Sequence, residues 1–244
     1  MSNKAGPEIC YVNYQKPDSE AALKNCRASC EGPGQCRRNG WIFYEDYYFK
    51  CPLYLKHQED EQIRQQVESS VPDLLSGAEL EDYNPLNPSQ KRARELSDRF
   101  LKTEAYKTGK GLVLTGDYGV GKTYLAVSIY KALIRKGIQA VFTRPKKHGS
   151  IQALEEYYET LQKPTVLIYD DLGTEIKREI IIDFLYTMVD RRMESNKSLI
   201  ATTNLTKEAL RHWLGKRIFS RLIYKNYILE VNGEDYRERN RQLF

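Results

Sequence analysis

One octapeptide constrains this chain more than any other stretch. Gly116-Asp117-Tyr118-Gly119-Val120-Gly121-Lys122-Thr123 fits the spacing G-x-x-x-x-G-K-[ST]. Glycines let a backbone bend until successive N–H groups converge on one anion. The apolar run Leu112-Val113-Leu114 before it reads as a short buried strand. Lys122 to Lys136 after it reads as a helix, with Leu125, Ala126, Ile129 and Leu133 on one side and Gly137 as its stop. A helix that starts there aims its positive dipole end at the same anion. In that strand-to-helix context Lys122 reaches the β- and γ-phosphates of a nucleotide, and the Thr123 hydroxyl binds Mg²⁺. The candidate nucleotide-binding set is Gly116, Asp117, Tyr118, Gly119, Val120, Gly121, Lys122, Thr123 and Tyr124.

Further strands and helices alternate around this loop. Ser89, following Pro88, is expected to cap a helix in which Ala93, Leu96 and Phe100 share a face. Ile138–Thr143, Thr165–Tyr169, Ser198–Thr202 and Tyr227–Val231 read as strands. Glu155–Leu161, Arg178–Met193 and a segment starting at Thr206 read as helices. Alternation of this kind predicts an α/β fold, a parallel sheet covered on both faces.

Two strand ends carry polar groups that complete a phosphate site. Val166-Leu167-Ile168-Tyr169 ends in Asp170-Asp171, expected beside the phosphate strand. Asp170 is the candidate to hold Mg²⁺ together with Thr123, and Asp171 the candidate to polarise an attacking water. A paired Asp before Gly173 is also what an ordinary turn contains. Ser198-Leu-Ile-Ala-Thr-Thr-Asn204 ends in an amide able to orient water or touch the γ-phosphate.

The 244 residues divide by composition. All five cysteines precede residue 52, in a segment poor in aliphatics and rich in aromatic residues (Trp41, Phe43, Tyr44, Tyr47, Tyr48, Phe49). Such a segment has little to bury and needs a staple. Cys26, Cys30, Cys36 and Cys51 offer four thiolates for tetrahedral Zn²⁺ or an Fe–S cluster, with His57 able to replace one and Cys10 to spare. Expected boundaries are 1–58 for a cysteine-rich metal-binding module, 59–88 for a linker with Pro72, Pro85 and Pro88, and 89–244 for the nucleotide-binding domain. No apolar run is long enough to span a bilayer and no signal peptide is visible, so a cytoplasmic protein is expected.

Charge is distributed unevenly. Lys and Arg number 38 against 33 Asp and Glu, a net +5, and residues 207–244 hold nine cations and five acids, a local +4. Arg144-Pro145-Lys146-Lys147-His148 forms a second basic stretch. Patches of this sort attract nucleic-acid backbones without sequence preference, and single-stranded DNA is the expected ligand.

Gly116–Thr123, the Asp170-Asp171-Leu172-Gly173 ending, Ile200–Leu205 and Lys216-Arg217-Ile218-Phe219-Ser220-Arg221-Leu222 together resemble the AAA+ ATPases of the DnaC/DnaI helicase-loader group, with the transposition helper IstB as a close relative. The resemblance covers about residues 80–244. It implies a five-stranded parallel sheet of AAA+ type and the use of ATP and Mg²⁺. Asp170 becomes the Walker B aspartate, Asp171 takes the catalytic acidic position, and Asn204 becomes sensor 1. Arg221 becomes the finger that reaches a neighbouring subunit's ATP, with Arg217 its rival one helical turn earlier, and Arg237 the sensor 2 arginine. An arginine acting in trans makes self-association through the ATP site a condition of hydrolysis. The loader DnaI has a zinc-bearing N-terminal domain that meets the helicase, and the cysteine-rich segment is similar in position. The function implied is delivery of a hexameric replicative DNA helicase to single-stranded DNA, and the alternative is an IstB-like ATPase that assists a transposase. A small-molecule kinase and a non-catalytic nucleotide-dependent scaffold are further readings of the same loop.

Overall fold

The computed structural model describes Cys36 and residues 39–44, 47–146, 148–175 and 179–236. Cys10, Cys26, Cys30, Lys147 and Arg237 therefore lie outside the described residues. The chain forms two compact units that divide between Gln65 and Gln66.

In the first unit β1 (Trp41–Tyr44) and β2 (Tyr47–Lys50) form an antiparallel hairpin, with Trp41 opposite Lys50 and Tyr44 opposite Tyr47. Lys50 Nζ sits 4.2 Å above the Trp41 ring. The Cys51 N–H donates to Gly40 O at 2.7 Å, which continues the pairing past the strand end. Helix α1 (Pro52–Ser70) follows directly, with proline at the first position, where its missing N–H does no harm. The polar run Glu59–Ser70 is thus helical.

The second unit is a five-stranded sheet with helices on both faces. Its strands are β3 (Gly111–Thr115), β4 (Ala140–Thr143), β5 (Val166–Tyr169), β6 (Ser198–Thr203) and β7 (Asn226–Glu230). The order is β4-β5-β6-β3-β7, and every pairing is parallel. Strands β3, β5 and β6 are buried at every position, as expected of inner strands covered on both faces. One sequence expectation fails here. The strand ending in Asp170 does not lie beside the phosphate strand, because β6 stands between β5 and β3.

Helices α2 (Pro88–Lys102), α3 (Lys122–Arg135), α4 (Ile151–Thr160), α5 (Glu179–Glu194) and α6 (Lys207–Lys225) cover the sheet. The cap of α2 is Asn87 rather than Ser89: its side chain accepts the Gln90 N–H, and Pro88 occupies the first helical position. A proline is preorganised there, so the cap moves one residue ahead of it. Ser150 and Thr206 cap α4 and α6 in the same manner. Helix α6 is broken at Gly215, whose φ of 80° is non-helical. Leu172, Leu185, Met188, Leu199, Leu210, Leu214 and Leu222 pack with β5 and β6 into one core.

Residues 71–86, expected as linker, lie against the nucleotide-binding unit. Val71, Ala78, Leu80 and Tyr83 are buried. Glu79 pairs with Lys131 and Arg135 of α3 at 2.6 Å each, and Lys131 also donates to Ser76 O at 2.7 Å. The spacing of these apolar residues follows neither a helix nor a strand period, so no periodic signal marks the segment.

Candidate functional site

The carboxyl ends of the parallel strands are where an open α/β sheet binds ligands. Three of them converge here. Strand β3 runs into the loop 116–121, where Gly116, Gly119 and Gly121 all have positive φ. At Gly121 only glycine fits: φ is 98°, and an added Cβ would come within 2.8 Å of the Tyr83 ring. Lys122 is buried at the start of α3, and its ammonium donates to Gly116 O (2.8 Å), Asp117 O (2.6 Å) and Asn204 Oδ1 (2.8 Å). The structure thus brings the loop lysine and the strand-end amide into direct contact across 82 residues.

Asp170 is fully buried. Its Oδ1 accepts hydroxyl bonds from Thr123 (3.0 Å) and Thr202 (2.6 Å), while its Oδ2 accepts from Arg144 Nε and Nη2, each at 2.8 Å. The reach of Thr123 from α3 makes up for the strand that intervenes. A threonine hydroxyl and a carboxylate oxygen set side by side are the hard oxygen donors Mg²⁺ takes, so Thr123 and Asp170 fit that ion. Asp171 follows in the left-handed region, with φ of 61°. Its N–H bonds to Thr202 Oγ1 at 2.9 Å, and its carboxylate lies 3.9 Å from Arg144 Nε. An aspartate in that conformation costs about 1 kcal/mol or more, and this turn lets Asp171 line the cavity instead of extending the strand.

The cavity has a volume of about 790 Å³. Lys122, Thr123, Asp171, Asn204 and Arg144 line one part, and Leu74, Leu75, Tyr83, Asn84, Tyr118 and Tyr236 another. With Asp82 also in the lining, the cavity combines charged and polar groups with apolar and aromatic ones, as the phosphates and base of a nucleotide require. Tyr83 OH donates to Val120 O at 3.3 Å, and burial pushes that phenol well above its ordinary pKa. The chain after β7 closes over the same loop: the Tyr236 N–H donates to Gly119 O at 3.1 Å, and the Asp235 carboxylate occupies the space beside Gly119. The loop beyond Asp171 is shaped by Glu175, which accepts from Tyr169 OH (2.9 Å) and the Gly173 N–H (2.7 Å); burial raises its pKa.

Residues 55–243 match the model of the IstB-like ATP binding proteins. The chain belongs to that family. It is 27% identical over 215 residues to the replicative helicase loader DnaI of Bacillus subtilis, covering 78% of this chain and 68% of that one. It is 29% identical over 152 residues to a putative ATP-binding protein in an insertion sequence of Mycobacterium tuberculosis, covering 54% of this chain and 58% of that protein, so under two thirds of that relative's length is spanned. Among solved structures, that of the DnaC helicase loader matches with a TM-score of 0.58 at 29% identity, over 66% of this chain and 99% of that one. That of DnaI matches at 0.59 and 28%, over 66% and 94%. The fold is the AAA+ one, shared also with DnaA of Aquifex aeolicus at a TM-score of 0.56 and 15% identity over 68% of this chain.

The two arginines of the 216–222 stretch do not line the cavity. Arg221 forms an ion pair with Asp190 of α5, and Arg217 donates to Tyr186 OH at 2.7 Å. Both guanidiniums lie over the Tyr186 ring, Arg217 at 4.2 Å and Arg221 at 4.9 Å. Arg237 falls outside the described residues. Of the expected metal cysteines, Cys36 and Cys51 are described, and Cys36 Sγ accepts the Gly40 N–H at 3.3 Å. Among the described residues no group of three or more metal-ligating side chains comes together. Among them, too, no helix is long and apolar enough to cross a membrane.

Arg144, Thr202 and the 72–84 segment are site features that the sequence reading missed. In the sequence Arg144 is only part of a basic stretch, and Thr202 only part of a strand. An inward-facing threonine next to a site strand carries no pattern of its own, but its place two residues before Asn204 puts it level with Asp170 in this sheet.

Proposed function

We propose that the chain binds ATP with Mg²⁺ in this cavity, hydrolyses it slowly at a subunit interface, and delivers a hexameric replicative DNA helicase to single-stranded DNA. The observation that carries the nucleotide part is the meeting of Lys122, Thr123 and Asn204 on the wall of a cavity of nucleotide size, with the buried Asp170 bonded directly behind Thr123. In this reading Lys122 holds the β- and γ-phosphates, and Thr123 and Asp170 hold the cation that offsets their charge. Asp171 polarises the attacking water, and Asn204 orients it.

Arg221 is assigned to a neighbouring subunit's ATP, and Arg237 to the sensor 2 role. Support for trans action comes from the cavity's own lining, in which the described cations are Lys122 and Arg144, with Arg217 and Arg221 elsewhere. The pairing of Arg221 with Asp190 fixes its direction on α6 and must be kept or exchanged when copies assemble. Hydrolysis then depends on self-association.

The helicase as client is supported by the likeness to DnaI, which spans more of this chain than the insertion-sequence relative does at similar identity. In this reading residues 1–58 are a metal-stapled module that meets the helicase, with zinc or an Fe–S cluster on Cys26, Cys30, Cys36 and Cys51. The N–H···S bond to Cys36 suits that role, because a backbone donor stabilises a thiolate. Lys146 and Lys147 are assigned to single-stranded DNA.

The family match and the insertion-sequence relatives favour a second reading, a helper ATPase of a DNA transposase. Co-purification of the full chain with ATP and Mg²⁺ against a hexameric helicase and against a transposase separates the two. Retention of the helicase alone supports the loader, and retention of the transposase alone overturns it.

A further inference from the structure

The carboxylate expected to support Mg²⁺ already has a cation on it. Asp170 has about four lone-pair sites, and four donors fill them: the hydroxyls of Thr123 and Thr202 on Oδ1, and Nε and Nη2 of Arg144 on Oδ2. A hydroxyl can turn its hydrogen away and offer a lone pair to a metal. A guanidinium has donors only and carries a fixed positive charge, so from Oδ2 it repels a second cation that approaches Oδ1 of the same carboxylate. Asp170 is fully buried, so its charge requires a partner at all times.

Arg144 is also placed to leave. Its side chain is 44% exposed at the end of β4, and it lines the cavity. Its backbone is anchored, since Arg144 O accepts from Tyr157 OH at 2.9 Å and Pro145 follows. The guanidinium can therefore swing from a carboxylate to a phosphate without moving the strand.

We propose that Arg144 and Mg²⁺ exchange on Asp170, so that Arg144 is a positioning residue that sets the Mg²⁺ requirement of nucleotide binding. The proposal rests on the reading of this cavity as an ATP site. Arg144 holds the Asp170 carboxylate in its orientation until the cation takes it over, and the released guanidinium turns to the nucleotide's phosphates.

The test is a fluorescence titration of the full chain with a fluorescent ATP analogue at rising Mg²⁺, for wild type, Arg144→Gln and Arg144→Lys. The half-saturating Mg²⁺ concentration is expected to fall about tenfold in Arg144→Gln, equivalent to about 1.4 kcal/mol, with Arg144→Lys between the two. A thermal melt without nucleotide gives a second readout: Mg²⁺ alone should raise the midpoint of Arg144→Gln by more than that of wild type. A folded Arg144→Gln with an unchanged or higher Mg²⁺ requirement overturns the exchange. Wild type that binds no analogue at any Mg²⁺ concentration overturns the ATP site itself, and the exchange with it.

Discussion

Arg192 gives the sharpest test of how the site strands are held. This side chain on α5 is 1% exposed and has no carboxylate partner among its hydrogen bonds. Its guanidinium donates to Leu161 O (2.8 Å), Pro164 O (3.1 Å), Thr165 O (3.1 Å) and Ser198 O (2.6 Å). These carbonyls lie at the roots of β5 and β6, the strands whose tips carry Asp170 and Asn204. Replacing Arg192 with Leu removes all four bonds. Thr165 O keeps the Ser198 N–H at 2.9 Å, and the parallel pairing of Ser198 with Val166 leaves Ser198 O its place in the ladder, so two losses count fully, at about 1.5–3 kcal/mol each for a charged donor, and two in part. Against this stands the burial of an uncompensated charge, which pushes the Arg192 pKa down to about 10 from 12.5. That drop corresponds to about 3 kcal/mol at about 1.4 kcal/mol per unit. The difference leaves a net loss of about 2 kcal/mol, which for a unit of this size lowers the melting midpoint by about 4–8 °C. Urea unfolding of both proteins, followed by circular dichroism, measures it. A loss below about 1 kcal/mol would refute the clamp, because the hydrogen bonds would then be worth no more than the charge burial they offset.

Three other predictions follow from single contacts. Glu79→Gln should destabilise the protein by about 1–2 kcal/mol at pH 7, since Glu79 joins the 71–86 segment to α3 through Arg135 and Lys131. The Arg135 hydrogen bond holds the Glu79 carboxyl below its ordinary 4.5, so its contribution is complete above that pH and fades as pH falls through the folded value; the two denaturation curves should draw together as the pH is lowered below 4.5, and a constant gap would argue against the ion pair. Gly121→Ala should cost about 2 kcal/mol and weaken nucleotide binding more than tenfold by titration, because a Cβ at φ 98° meets Tyr83; unaltered affinity would mean the loop tolerates another backbone. Elemental analysis of purified protein should find zinc or iron, lowered at least by half in Cys51→Ser, and a wild type free of both metals removes the proposed staple.

Much of the second unit was legible because its signals are local. A glycine-rich loop between an apolar run and an amphipathic helix identifies itself, and Asp170-Asp171 and Asn204 each end an apolar strand. What could not be read was which strands are neighbours. Inner strands of a parallel sheet are apolar throughout, so nothing in Val166–Tyr169 or Leu199–Ala201 tells which one pairs with β3. The packing of residues 71–86 was equally silent, because Ala78, Leu80 and Tyr83 are held by tertiary contacts and not by a repeat. Arg144 and Arg192 show a third limit. One arginine sits on a buried carboxylate and the other on four carbonyls, yet in sequence each is a charge next to other charges.

A triphosphate bound by the loop from Gly116 to Thr123 underlies every role proposed for these residues. Calorimetric titration of ATP and Mg²⁺ into the full chain and into Lys122→Ala tests this most directly. One bound nucleotide per chain, weakened more than tenfold without the lysine, is the predicted result. Equal binding by the two proteins, or no heat from the wild type, would contradict it.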